Sequence, residues 1–445
     1  MKRLGSVLLW SVIAAAFIGP GTVTTAASSG AQHGYVLLWA LLFSTLATLA
    51  LQEASARVTI VSGRNLAEAI RERFGGGVSG VFVLILVVGA VVLGNAAYEA
   101  GNILGGTAGA SLGTGLSPTL LTLAIGGSAA VILWLGSPRA VAVLMSVVVA
   151  FMGVAFLVTA VLLRPPLAEL VRGSVVPTLP SGAGLLVLGL VGTTVVPYNL
   201  FLGSGIAGGQ TLRELRFGLA VAVLLGGLIS MGVLVVGAAI EGGFSFEALA
   251  AALSSRLGPG AGPFFAWGLF AAGFSSAITA PLAAAITARS LFDSGTGRWH
   301  PRSWRYRAVW MGVLGVGVGF GLAGVRPIPA IILAQALNGI LLPFAAVFLL
   351  LVVNDRALMG ERGLNGALSN AVMGLVVAVT VVLGASNVLR AAATAAGLPT
   401  PGERLLLGVA AGVAAALAIP VALGVARRRR AVPPPGSEHS RHPVR

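Results

Sequence analysis

The sequence predicts an all-α integral membrane protein with about twelve transmembrane helices, and three observations carry that expectation. The 445 residues are 57% hydrophobic with a mean hydropathy of +0.97, and the apolar residues fall into runs near the roughly 20 residues that cross a bilayer as a helix. Only 9% of residues are charged, against about 25% in soluble domains, which excludes a water-soluble fold. Two apolar runs, about half a chain apart, are interrupted by proline among glycine or hydroxyl residues. Broken helices at corresponding places in two halves mark the binding site of a membrane carrier.

The first run, 7–32, is broken in the stretch Phe17 to Thr25 by Gly19-Pro20-Gly21-Thr22. Proline removes a backbone donor and clashes with the preceding turn, while glycine is permissive. The start, Met1-Lys2-Arg3 followed by Leu8 onwards, is similar to the first half of a signal peptide. The run continues past Gly30 without a clear cleavage site and reads as a first span. Further spans are expected at 35–61, 78–104, 117–136 and 139–163. The sixth, 183–208, holds the second break, Gly192-Thr193-Thr194-Val195-Val196-Pro197-Tyr198-Asn199. Spans 217–240, 262–288, 308–325 and 328–353 complete a second set of five, and 366–388 and 404–426 are two additions. Five is odd, so the second set enters the membrane inverted, which places a substrate site near mid-membrane between the breaks. The expected units are residues 1–163, 183–353 and 366–426, then a basic, disordered cytoplasmic tail at 427–445.

Loops after even-numbered spans hold Arg64, Arg71, Arg73, Arg139, Arg213, Arg216, Arg298, Arg302, Arg305, Arg307, Arg356 and Arg362, and the ends add Lys2, Arg3 and Arg427 to Arg430. The other side holds only Arg164, Arg172, Arg256, Arg326, Arg390 and Arg404. This bias puts both termini in the cytoplasm of an inner-membrane protein. It also accounts for the net charge of +15 without nucleic acid. The cluster Arg427–Arg430 is in addition a candidate for anionic lipid. There is no cysteine, so thiol and disulfide chemistry is excluded. No paired carboxylates, His cluster or phosphate-binding loop supports an enzyme or a resident cofactor. Uphill transport would therefore draw on a proton or sodium gradient. Oligomeric state is not legible.

The segments Leu51-Gln52-Glu53-Ala54-Ser55-Ala56-Arg57 with Ser62 to Phe74, Val195 to Leu202, Ala271 to Thr279, and Ala334-Gln335 with Leu342-Pro343-Phe344 resemble the Nramp family of divalent-metal transporters. The resemblance runs through most of the first ten spans and implies the LeuT-like fold. The family's first-span signature, Asp-Pro-Gly-Asn, reads here Gly19-Pro20-Gly21-Thr22. Its sixth-span signature, Ala-Thr-Val-Met-Pro-His, reads Thr193-Thr194-Val195-Val196-Pro197-Tyr198. By resemblance the aspartate, asparagine and methionine would coordinate metal, and the histidine would serve proton movement. Here Gly19, Thr22, Val196 and Tyr198 stand in their places.

Gly19 and Val196 offer no side-chain ligand, and Thr22, Thr193 and Tyr198 offer neutral oxygens, a poor set for stripping water from a transition metal. Three readings follow. The inherited one is carriage of a divalent cation, Mn²⁺ or Fe²⁺ or a hydrated Mg²⁺, which keeps its water readily. The second is an ion-coupled carrier of a small organic or anionic solute, because half-helix N-termini favour anionic groups. The third is a non-transporting membrane sensor. In all three Gly19, Thr22, Thr193, Val196, Tyr198 and Gln335 are expected to line the substrate cavity. Glu99, a carboxylate at mid-span, is the candidate for ion coupling together with Asn102, since the family carries acidic residues on this span. The alternative for Glu99 is a structural acid paired with an arginine or hydroxyl of another helix. Glu53 and Arg57 are spaced to pair on one helical face. Gln52, Asn95, Ser275, Ser276 and Asn338 are expected either in the cavity or in helix-to-helix hydrogen bonds. His33, His300, His439 and His442 lie away from the breaks.

Overall fold

The structure, a computed structural model, describes residues 6, 10, 18–136, 138–293, 297–395 and 402–430, and the regular elements among them are all helices. Lys2, Arg3, Phe17, most of the first half of span 1, and the tail with His439 and His442 lie outside the described residues. In chain order, α1 (Pro20–His33) is the second half of span 1, α2 (Leu38–Ser62) is span 2, and α3 (Leu66–Phe74) is a short connector. Spans 3 to 5 are α4 (Gly77–Thr114), α5 (Pro118–Leu135) and α6 (Pro138–Leu162), followed by a second connector, α7 (Leu167–Val175). Span 6 is two helices, α8 (Gly184–Thr194) and α9 (Pro197–Ile206). After α10 (Leu212–Gly237) comes the connector α11 (Phe246–Leu257), then α12 (Ala261–Phe292), α13 (Trp304–Leu322) and α14 (Pro327–Val353). The chain ends in α15 (Arg356–Gly363), α16 (Ala367–Ala395) and α17 (Glu403–Arg430). Among the described residues eight helices, with α8 and α9 taken as one, are long and apolar enough to cross a membrane.

The two sets of five correspond beyond their span count. Each places a short capped helix between its second and third spans. In α3 the Asn65 side chain accepts from Glu68 N–H and Glu68 returns a bond to Asn65 N–H, and in α11 Ser245 accepts from Ala248 N–H. The third span is the longest of each set, 38 residues in α4 and 32 in α12. These two pack with their backbones almost touching: a Cβ on Gly273 would strike the backbone of Gly106. Without a hydrophobic drive between helices in lipid, such close approach of small residues is what holds them together.

The loops predicted for one side of the membrane meet at one end of the bundle. Arg73 reaches Asp355 through Nε and Nη2 at 2.7 and 2.8 Å, and Arg428 reaches the same carboxylate at 2.7 Å. Asp355, fully buried, also caps α15 by accepting from Ala357 N–H. Arg216 pairs with Glu53 at 2.9 Å, Glu53 pairs with Arg57 as its spacing predicts, and Arg71 donates to the Asp293 carbonyl. Arg57 further donates to the Gly363 carbonyl and to Asn365. The helix α17 runs through Arg430, so Arg427–Arg430 form its last turn, where the sequence placed the start of a disordered tail. Their charge suits the carbonyl end of a helix. Asp355→Ala strands Arg73 and Arg428 together and is expected to destabilise the protein by about 2 kcal/mol, discounted for their partial exposure. Thermal unfolding in detergent measures this; an unchanged midpoint would show the hub to be neutral.

Candidate functional site

Both helix breaks are built the same way. Gly19 is extended (φ −104°, ψ −175°) and precedes Pro20 at the first turn of α1. Val196 is extended (φ −83°, ψ 124°) and precedes Pro197 at the first turn of α9. Proline there sacrifices only an N–H that no carbonyl would accept, and it forces the preceding residue out of the helical region. The carbonyl that the break leaves on Thr194 accepts from Thr48 Oγ1 at 3.2 Å.

Glycines bring the two breaks together against α14. A Cβ on Gly21 would strike the Gln335 side chain, and one on Gly192 would overlap the Gln335 carbonyl and the Gly339 amide. At this crossing Thr22 Oγ1 and Thr193 Oγ1 lie 2.8 Å apart, joining two residues 171 positions distant in sequence. Thr22, Thr193, Val196, Tyr198 and Gln335 are all at most 1% exposed. Thr22, Thr193 and Gln335 thus meet in one buried layer.

Two further residues belong to it. The place where a side chain at Gly19 would begin lies 3.4 Å from the Tyr98 hydroxyl and 3.6 Å from Ser276 Oγ. The Tyr98 and Tyr198 rings meet edge to face with centroids 5.5 Å apart. Tyr98 was not singled out from sequence, although a signal exists. Tyr98, Gly101 and Gly105 stand at helical spacing, and the two glycines face Gln335 and Pro20.

Glu99 is one residue further round α4. Its Cγ and carbonyl lie against Gly317 of α13, while its carboxylate interacts electrostatically with the Tyr98 and Tyr198 hydroxyls. Glu99 is fully buried; its Oε2 accepts from Asn102 Nδ2 at 3.2 Å, while Oε1 has no hydrogen-bond partner among the described residues. Where an arginine or hydroxyl of another helix was the expected alternative, its hydrogen-bond partner among the described residues is Asn102, one turn away on α4.

Other buried polar atoms also lack partners among the described residues. They include Ser276 Oγ, Gln335 Oε1, the Asn199 amide and, running along α1 away from the break, the hydroxyls of Thr24, Thr25 and Ser28. Most buried polar groups in folded proteins are satisfied, so these orphans stand out. Asn95, Asn338 and Gln52 Oε1 share this condition. Among the described residues no three His, Asp or Glu side chains gather as a metal site. The described side chains of this layer supply hydroxyls, two phenols and an amide, beside backbone groups.

Residues 11–390 match the family described as Nramp, natural resistance-associated macrophage protein-like. The divalent metal cation transporter MntH of Deinococcus radiodurans is 30% identical over 401 residues, 85% of this chain and 87% of its own. The protein of the same name in Acidiphilium cryptum is 30% identical over 411 residues, 88% and 91% of the two chains. In three dimensions a manganese transporter of Eremococcus coleocola aligns over 96% of this chain and 95% of its own, with a TM-score of 0.72 at 19% identity. Mhp1, a nucleobase-cation-symport-1 family transporter with bromovinylhydantoin bound, aligns over 95% and 92% with a TM-score of 0.58 at 18% identity. At these identities the two structures speak for the fold.

Proposed function

The chain belongs to the Nramp family, and from that premise we propose that it is a gradient-driven carrier of a divalent cation taken with much of its water shell, as Mg²⁺ allows. The observation that supports this is the donor set at the two breaks. The relatives named above are metal transporters, whereas positions 19, 22, 196 and 198 here hold Gly, Thr, Val and Tyr. Neutral hydroxyls and amides cannot repay the desolvation of a bare dication in a membrane, but they can hydrogen-bond its bound waters. The unpaired hydroxyls of Thr24, Thr25 and Ser28 extend the same chemistry along α1. Glu99 with Asn102 is the coupling site, next in sequence to Tyr98 of the cargo layer. Both termini are cytoplasmic in this reading, by the arginine bias of the loops.

A second reading has its own support. The N-termini of α1 and α9 both open at the breaks, where helix dipoles favour a carboxylate or another anionic group, and no acid side chain there opposes it. A carrier of the same fold, Mhp1, holds an organic ligand. That reading gives an ion-coupled carrier of a small organic solute.

Flux into liposomes, with and without a pH gradient, separates the two. Mg²⁺ uptake exceeding Mn²⁺ uptake supports the hydrated cation. Saturable uptake of a zwitterionic amino acid with no metal flux overturns it, and no flux of any kind leaves a sensor. The joint variant Gly19→Asp, Thr22→Asn, Val196→Met restores the family's ligand types. A side chain at position 19 meets only ordinary contacts at 3.4 and 3.6 Å. The variant is expected to bind Mn²⁺ about tenfold or more tighter, since carboxylate and thioether are the missing ligands. Equal Mn²⁺ affinity in variant and wild type would contradict the donor-set argument.

A further inference from the structure

The last helix, α17, packs along α16 but is largely exposed over its length. Between α14, α16 and α17 lies a groove of about 880 Å³, walled by residues such as Phe348, Gly374, Val377 and Val421 and ending at Asn370 and Arg429. All three helices are long and apolar enough to cross a membrane, so the groove runs through the hydrocarbon and is filled from the bilayer. Its size is within the range of about 300–1,000 Å³ typical of small-molecule sites.

The basic end of this groove is held in place. Arg428 is clamped on Asp355 at 2.7 Å and lies 4.1 Å over the Phe74 ring. Arg429 Nη2 donates to the Asn365 carbonyl at 2.6 Å, which fixes its guanidinium at the mouth without neutralising it. Asp355 is already shared by Arg73 and Arg428, and Glu361 is paired with Arg356. Arg427 and Arg430 are exposed beside it. The mouth is therefore cationic and the trough apolar.

We propose that this groove is a binding site for an anionic phospholipid, its acyl chain along α14 and α16 and its phosphate at Arg429, with Arg427 and Arg430 adding long-range attraction. Charge complementarity selects the occupant: a zwitterionic lipid fills the trough equally but cancels none of the excess charge. The lipid ties the peripheral α17 to α14, which it contacts little directly. The site is independent of the nature of the cargo.

The test uses the full-length protein in detergent, titrated with phosphatidylglycerol or with phosphatidylcholine of identical chains, read by native mass spectrometry and thermal unfolding. Phosphatidylglycerol is expected to bind one per chain, to raise the unfolding midpoint, and to weaken with salt. Arg429→Gln with Arg427→Gln and Arg430→Gln is expected to lower its affinity about tenfold or more. Gly374→Leu places a side chain where a Cβ meets nothing within 4 Å, so the variant folds, and it is expected to displace the lipid without touching a charge. Equal binding of both lipids, or binding that Gly374→Leu leaves unchanged, overturns the proposal. A lipid-independent dimer lost in Gly374→Leu would overturn it as well and assign the groove to a second copy of the chain.

Discussion

Glu99→Gln is expected to abolish the response of uptake to a pH gradient, by about tenfold or more, while leaving the protein folded. An ionisable group wholly inside a membrane protein is costly and persists where it does work. Here the cost is visible, because one carboxylate oxygen has no partner among the described residues and the other has only Asn102. Glutamine keeps the carbonyl that accepts from Asn102 and the shape that packs on Gly317, but it cannot exchange a proton at neutral pH. Exchange of labelled cargo without a gradient, which needs no net proton movement, is expected to survive. Gradient-driven uptake unchanged in the variant would remove Glu99 from the coupling role. Loss of both activities would assign it to the structure of the α4–α13 contact.

Gly192→Ala carries the other large effect, and its origin is steric. The added methyl would overlap the backbone of Gln335 and Gly339, and backbone cannot rotate away as a side chain can. Overpacking of this kind typically costs about 1–3 kcal/mol. The shift would also pull Thr193 from its 2.8 Å contact with Thr22 and spread the layer proposed to bind the cargo. Lowered thermal stability and loss of transport are both expected. Gly127→Ala, at an exposed position on α5 where a Cβ meets nothing within 4 Å, is the matched control and is expected to be silent. A functional Gly192→Ala protein with wild-type stability would show that the α8–α14 approach is looser than its geometry.

The spans were legible because a bilayer imposes one rule on every segment, a long apolar run with its backbone satisfied internally. The predicted ends fall within a few residues of α2, α5, α12 and α14. The connectors were not legible. The helices α3, α7, α11 and α15 have 8 to 12 residues and are polar enough to read as loops. Local caps close α3, α11 and α15, and Asp355 adds partners 282 and 73 positions away. The site was legible in part. Gly-Pro-Gly and Val-Val-Pro announce breaks by local backbone chemistry alone, whereas Tyr98 enters the layer only because Gly101 and Gly105 let α4 lie against Gln335 and Pro20.

Residue type within single segments was enough to read the membrane fold, the place of the two breaks and the neutral side chains beside them. Which polar residues share a layer depends instead on how the segments pack. Packing put Thr22 on Thr193 and Tyr98 beside the break, turned Glu99 toward Gly317, and left a groove beside Arg429. Adjacent residues on a helix point about 100° apart. The partner each one meets is therefore set by which glycines allow which helices to touch.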